Sequence, residues 1–222
     1  MLPELIDSTK MDLSERIFIT LKRGIISLDI KPRQVLIIGD VAEYYNTSRT
    51  PVREALIKLE REGWVEKDGR RGLRVTVPSE GSLMEIVETQ AALEAHAASK
   101  LAERGVSEDF KRRSQKSFAE TERAIAENAD NIDDKIEEFT DLIYGEFGNQ
   151  FFAKVVRELG EKTTRVRKMS LHLGPAPYEK SLEQHRKIID AIVAGDAELS
   201  YKLMYMHTIW FEEGLMSLLN RY

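Results

Sequence analysis

Leu13, Ile17, Leu21, Ile25 and Leu28 recur at spacings of three and four along residues 13–28. That spacing lays one apolar stripe along a helix and turns it toward a core. Asp12 or Ser14 is placed to cap the start. Asp29-Ile30-Lys31-Pro32 ends it, because proline cannot continue a helix and disfavours helix at the residue before it. A short helix is expected over Asp40–Tyr45, with Val41 and Ala42 turned inward. Asn46-Thr47-Ser48 carries turn and cap chemistry. A third helix follows, with Ser48 or Thr50 as its N-cap and Pro51 in its first turn. Val52, Ala55, Leu56 and Leu59 form its inner face, and Gly63 suits its C-terminal stop.

The period then shifts from helical to alternating. Trp64–Lys67 and Leu73–Val77 read as two short strands joined by the basic, glycine-flanked turn Asp68-Gly69-Arg70-Arg71-Gly72. Pro78–Ser82 reads as a linker. From residue 82 on, helices are expected over about 82–104, 107–127, 132–146, 149–172, 179–194 and 197–219, interrupted at Gly105, 128–131, Gly148-Asn149, Gly174–Pro177 and Gly195-Asp196. Short links between amphipathic helices imply an antiparallel bundle. The expected architecture is therefore mostly α. Residues 1–78 form three helices and a hairpin, and residues 79–222 form a bundle of about six helices.

Composition alters this picture in three ways. No run of about 18 apolar residues occurs, so no membrane span is expected. The first residues, MLPELIDSTKMDLSER, have early acids and no apolar core, so no secretory leader is expected there. The chain has no cysteine, which removes disulfides and thiolate chemistry and fits a cytoplasmic protein. The net charge of −5 conceals an asymmetry. Residues 1–79 hold 14 basic and 12 acidic side chains, net +2, and the remainder holds 19 and 26, net −7. The two parts are thus suited to different partners.

The chemistry of the first part points to duplex DNA. A helix that enters a major groove must carry donors for bases and phosphates at its exposed N-terminal end. Arg49, Thr50 and Arg53 lie there, off the apolar face, with Ser48 at the cap. The guanidinium fork can bond guanine or phosphate in bidentate fashion. Helix-start N–H groups and hydroxyls can hold phosphate. Arg70 and Arg71 at the hairpin tip would lie beside the same duplex. Helix, helix, helix, basic hairpin is the order of a winged helix-turn-helix. No P-loop, His-Glu-x-x-His pair, nucleophile elbow or glycine-rich dinucleotide loop is present, so no enzyme is expected. Asp133-Asp134 and Glu137-Glu138 read as solvated helix charges.

Ser48-Arg49-Thr50-Pro51-Val52-Arg53-Glu54-Ala55-Leu56, with Leu59 and Glu62-Gly63-Trp64-Val65, resembles the signature of GntR-family transcription regulators over residues 11–77. Leu93-Glu94 with Ala97-Ala98, Phe139 with Gly148-Asn149, and His185-Arg186 leading to Ala191–Asp196 and His207 resemble the helical effector-binding (FCD) domain of the FadR-type branch. The resemblance implies a homodimer that binds a palindromic operator, commonly a repressor released by a metabolite such as a carboxylic acid. It places Arg49 and Arg53 on DNA, helped by Ser48, Thr50 and the wing Arg70–Gly72. Two departures stand out. Pro32-Arg33 replaces the usual Pro-Gly, and Gly39 stands where many members carry a basic DNA contact. The alternative class is a dimeric small-molecule or metal-binding helical module that does not bind an operator.

Many members of this branch hold a divalent metal such as zinc or nickel on an aspartate and three histidines. The resemblance maps two of those positions to His185 and His207, and the other two to Ile136 and Thr140, which are poor ligands. His185 shares a helix face with Ile188, Ile189 and Ile192, and His207 shares one with Leu203 and Trp210, so both imidazoles are expected inside. They are either hydrogen-bonded core residues or parts of a shared pocket. Gln90 occupies the position of an arginine that many relatives use, so the effector is either less anionic or gripped from elsewhere, for example by Arg165 or Arg167, which otherwise read as solvated helix charges. Gln90, Thr140, Arg165, His185 and His207 make up the expected effector pocket, with Met169, His172, Met204, Met206 and Trp210 as shaping residues.

Overall fold

The computed structural model describes residues 1–222 apart from Thr9, Arg70, Arg71, Asp130, 172–177 and 220–222; the side chains of Glu80, Asp133, Ser170, Leu171 and 211–219 are also outside the description. Two compact units result. One is Met1–Ser79 with Thr164–His172, and the other is Glu80–Thr163 with Leu173–Tyr222.

The first unit starts with α1 (Leu13–Ile26), capped by the Asp12 carboxylate, which accepts from Glu15 N. Ile17, Leu21 and Ile25 are fully buried, as their spacing requires. β1 (Val35–Leu36) leads to α2 (Ile38–Tyr44) and α3 (Arg49–Arg61). β2 (Val65–Lys67) and β3 (Leu73–Val75) complete a three-stranded antiparallel sheet of order β1-β3-β2. The apolar faces of α1 and α3 meet over Trp64, Val65 and Val75. Each aliphatic side chain so buried contributes about 1.5–3 kcal/mol.

Three features differ from the sequence reading. α2 starts two residues before Asp40, at Ile38. The hairpin gains the strand β1, whose Val35 and Leu36 pair with Arg74 and Leu73. Residues 2–6 lie on the helices, with the Tyr44 and Tyr45 hydroxyls donating to the carbonyls of Leu2 and Pro3 and Thr20 Oγ1 accepting from Ile6 N. That last bond satisfies an otherwise solitary buried threonine. Arg33 adopts φ +66°. The turn therefore keeps the left-handed backbone that makes glycine usual there, with a side chain that rarely adopts it.

The second unit is helical throughout its described residues. Its elements are α4 (Glu80–Arg104), α5 (Glu108–Ala126), α6 (Ile132–Phe147), α7 (Gln150–Leu171), α8 (Tyr178–Ala194) and α9 (Ala197–Leu219). All begin and end within two residues of the expected limits. Gly105, Gly148 and Gly195 take φ between +75° and +77° just past α4, α6 and α8, the left-handed C-terminal stop that glycine accepts without strain. The residues of α7 from Thr164 on group with the first unit. Among the described residues no helix is long and apolar enough to cross a membrane.

Candidate functional site

Ser48, Arg49, Thr50 and Arg53 are all exposed at the first turn and a half of α3. The turn before α3 runs through Asn46 at φ +48°, closed by Thr47 N donating to Ala42 O. Asparagine tolerates that conformation better than most residues. Ser48 caps by position only, since its hydroxyl accepts no backbone N–H. The hydroxyl and the first N–H groups of α3 are thus available to an external anion. Among the described residues neither Arg49 nor Arg53 has an ion-pair or hydrogen-bond partner, in a unit where Arg74 pairs with Asp68 and Lys58 with Glu15. A Cβ built on Gly39 would lie 3.9 Å from Arg49 Nη2. The Arg49 guanidinium therefore already overlies the position where a basic residue is usual, and a second cation there would face it.

Arg70 and Arg71 lie outside the described residues. Gly72 has a structural reason to be glycine. Its φ is +142°, and a Cβ on it would come within 2.6 Å of Leu36 O. Here β1 and the wing approach too closely for any side chain.

In the second unit, two of the expected pocket residues, His185 and His207, are in direct contact. The His185 and His207 Nε2 atoms stand 3.0 Å apart. His207 Nδ1 lies 2.8 Å from Gln184 Oε1, and the His185 ring stacks on Phe139 with centroids 3.8 Å apart. An amide oxygen only accepts, so His207 carries its proton on Nδ1 and its Nε2 accepts from His185. Burial pushes the His207 pKa down to about 4, so the ring is neutral.

A second polar cluster centres on Glu94, to which the sequence reading gave no role beyond the family resemblance. Glu94 is 2% exposed, and its carboxyl accepts from Gln90 Nε2 (3.0 Å), Thr208 Oγ1 (2.8 Å) and the Tyr144 hydroxyl. Burial raises its pKa, and the three hydrogen bonds work against the rise. The same burial, with the nearby Glu94, raises the Tyr144 hydroxyl well above its usual range. The available signal was a lone acid on a face otherwise made by Ala91, Ala95 and Ala98. Gln90 thus serves Glu94, and an arginine in its place would pair with that carboxylate first.

Thr140 is half-buried and donates to Glu137 O, one turn from Tyr144. Ile136 is buried with Ala124 and Ile132. The alkyl group has no donor atom and a neutral hydroxyl is a poor ligand for a zinc-like ion, so the four-ligand set that the resemblance implies is not fitted here. Met204 is buried in the main core, whereas Met206 is 57% exposed and shapes no interior surface. Trp210 is half-buried beneath Lys180 Nζ, 3.9 Å from its ring centroid. His172 lies outside the described residues.

Arg165 is not part of this core. It belongs to the first unit, is 1% exposed, and donates to the carbonyl of Thr76, with Nη1 3.4 Å from the Thr76 hydroxyl. Its Nε has no partner, and among the described residues no carboxylate pairs with it. Burial lowers its pKa to about 10, which leaves it charged at neutral pH.

Residues 13–75 match the family described as bacterial regulatory proteins, gntR family, and residues 85–209 match the FCD domain. The chain belongs to the GntR family, in its FCD-domain branch. This is a family of DNA-binding transcription regulators, not of enzymes. The fatty acid metabolism regulator protein of Erwinia tasmaniensis is 27% identical over 140 residues, 57% of this chain and 59% of that protein, so the chain spans about three-fifths of that relative's length. The probable D-xylose utilization operon transcriptional repressor of Paenarthrobacter nicotinovorans is 27% identical over 183 residues, 76% of this chain and 73% of that protein. The solved structure of E. coli McbR/YncC has the same fold, with a TM-score of 0.73 at 20% identity, covering 95% of this chain and 98% of that one.

The neutral His207 in this GntR-FCD core gives a pH signature. The folded pKa of about 4 lies below the ordinary 6.5, so the unfolded chain takes up the proton first. The contribution is intact above pH 6.5 and is lost as pH falls toward 4, at up to about 1.4 kcal/mol per pH unit. His207→Gln, which can still donate to Gln184 and accept from His185, should flatten the melting-temperature profile across this window. Glu94, whose pKa is raised, acts in the opposite direction in both proteins and drops out of the comparison. Superimposable profiles would show that His207 is not held neutral.

Proposed function

We propose that this protein is a cytoplasmic, metabolite-responsive repressor that binds a palindromic operator as a homodimer. The observation that carries the reading is the exposed pair Arg49 and Arg53 at the start of α3, which have no partner among the described residues. In this reading Arg49 and Arg53 contact base edges, Ser48, Thr50 and the helix-start N–H groups hold phosphate, and the wing at Arg70–Gly72 flanks the duplex. Two copies set their α3 helices in successive major grooves, about 34 Å apart. Apolar side chains that a single chain leaves in solvent, Phe151 at 78% and Met206 at 57% exposure, support a second copy.

The effector is a small carboxylic acid received by Arg165. A buried guanidinium without a counter-charge is costly, and a carboxylate is the group that relieves it. The same guanidinium now holds Thr76, whose N–H and hydroxyl bond back to Trp64 O and Gly63 O at the base of the wing. A carboxylate that draws Arg165 off Thr76 loosens that anchor. It thereby binds the two states with different affinity, which any switch requires.

Gel shift with DNA from around the protein's own gene, with and without a panel of carboxylic acids, tests this. A retarded complex that weakens linearly in log salt, at a slope near −0.9 per phosphate contacted, is expected. Release by an acid should be lost in Arg165→Gln while binding persists. Absence of any complex at low salt would refute operator binding. An acid that releases Arg165→Gln as well as the parent protein would refute the effector assignment.

A further inference from the structure

The donor set around the histidine pair differs from what the family leads one to expect. A bound zinc-like ion needs at least three protein ligands, and a closed structural site needs four. Among the described residues two imidazoles come together, with their Nε2 atoms facing each other at 3.0 Å. The Gln184 oxygen fixes the proton of His207 on Nδ1, so His207 Nε2 is a lone pair, and 3.0 Å away His185 Nε2 donates into it. One shared proton leaves a single lone pair between the two rings.

The supporting positions are committed elsewhere. Ile136 is an apolar packing residue against Ala124 and Ile132. Thr140 offers only a neutral hydroxyl, whose proton goes to Glu137 O at 2.9 Å, and a neutral hydroxyl is a poor ligand for zinc-like ions. Glu94, a buried acid of this unit, already accepts from three neutral donors, two on Oε1 and one on Oε2. Among the described residues no three histidine, aspartate or glutamate side chains lie close enough together to hold an ion. Phe139, stacked flat on His185, fixes that ring in the plane the hydrogen bond requires.

We infer that this chain keeps its FCD core without a metal ion, the His185–His207 hydrogen bond standing in the place of coordination. Effector recognition then rests on hydrogen bonds and charge alone, with no bridging cation. The inference is independent of operator binding, and its test reads the ion directly.

Full-length protein would be expressed in medium supplemented with zinc, nickel and manganese and purified without chelator. Metal content by mass spectrometry, melting temperature with each ion in excess, and the imidazole ¹⁵N resonances before and after chelator treatment would then be measured. The expected result is far less than one ion per chain, no rise in melting temperature, and ¹⁵N resonances unchanged by chelator. An ion whose removal leaves the His185 and His207 resonances in place is bound at another surface, and the inference stands. One ion per chain, whose removal shifts those resonances, would overturn it.

Discussion

Arg49→Ala and Arg53→Ala are each expected to weaken operator binding by about 1–3 kcal/mol, roughly 5- to 150-fold, while leaving the melting temperature nearly unchanged. The combination follows from their surroundings. Both side chains are exposed, and among the described residues they have no partner, so truncation leaves no buried group unsatisfied. Surface substitutions of that kind stay within about 0.5 kcal/mol of the parent in stability. In the complex the same fork is desolvated against bases or phosphate, and its removal is felt in full. The two roles separate by salt. Deleting a side chain that reads a base relaxes preference at one position. Deleting one that holds phosphate weakens binding to all sequences alike and reduces the salt slope by about one. Anisotropy titrations on matched and mismatched duplexes would read both effects. Unaltered affinity in both variants would show that the tip of α3 does not touch DNA.

Gly72→Ala should have a large effect of the opposite kind, acting on stability first and binding second. The added Cβ would meet Leu36 O at 2.6 Å, a backbone atom in β1 that cannot swing aside as a side chain would. The positive φ of +142° adds strain, on the order of 1–3 kcal/mol. Relief requires β1 and β3 to part at the Leu36–Leu73 pair, the register that ties the wing to the strand before α2. For a domain of this size each kcal/mol lowers the melting temperature by about 4–8 °C. A drop of that order in the first unit's transition is expected, with weaker operator binding from a displaced wing. A variant as stable as the parent would mean that the close approach at Leu36 is easily relaxed.

Much of the fold was legible because its elements are long and periodic. The stripe Ile17, Leu21, Ile25 and the stripe Val52, Ala55, Leu56, Leu59 each declare a buried face, and glycines mark the ends of α4, α6 and α8. β1 was not legible, because two residues cannot display a period. α2 was misplaced for a related reason: Ile38 and Gly39 carry no start signal, whereas Asp40 does. The segment of residues 2–6 is positioned by bonds to Thr20, Tyr44 and Tyr45, none of which is near it in sequence.

The candidate site divides along the same line. Arg49 and Arg53 could be assigned from one contiguous stretch, since a recognition surface is the outer face of a single helix. The polar core could not. Glu94 reaches Tyr144 fifty residues away and Thr208 more than one hundred away. Gln90 read as the place of a missing arginine, whereas its amide donates to Glu94 and accepts from the Thr163 hydroxyl. Arg165 was expected beside the histidines and instead holds Thr76 in the first unit.

The tip of α3 is expected to read duplex sequence. Selection of bound duplexes from a random pool, run in parallel with the parent and the Arg49→Ala/Arg53→Ala double variant, tests it most directly. The parent should enrich an inverted repeat whose half-site centres lie about 10–10.5 base pairs apart, and the double variant should enrich none. The same repeat emerging from both proteins, or no enriched sequence from the parent, would contradict the account.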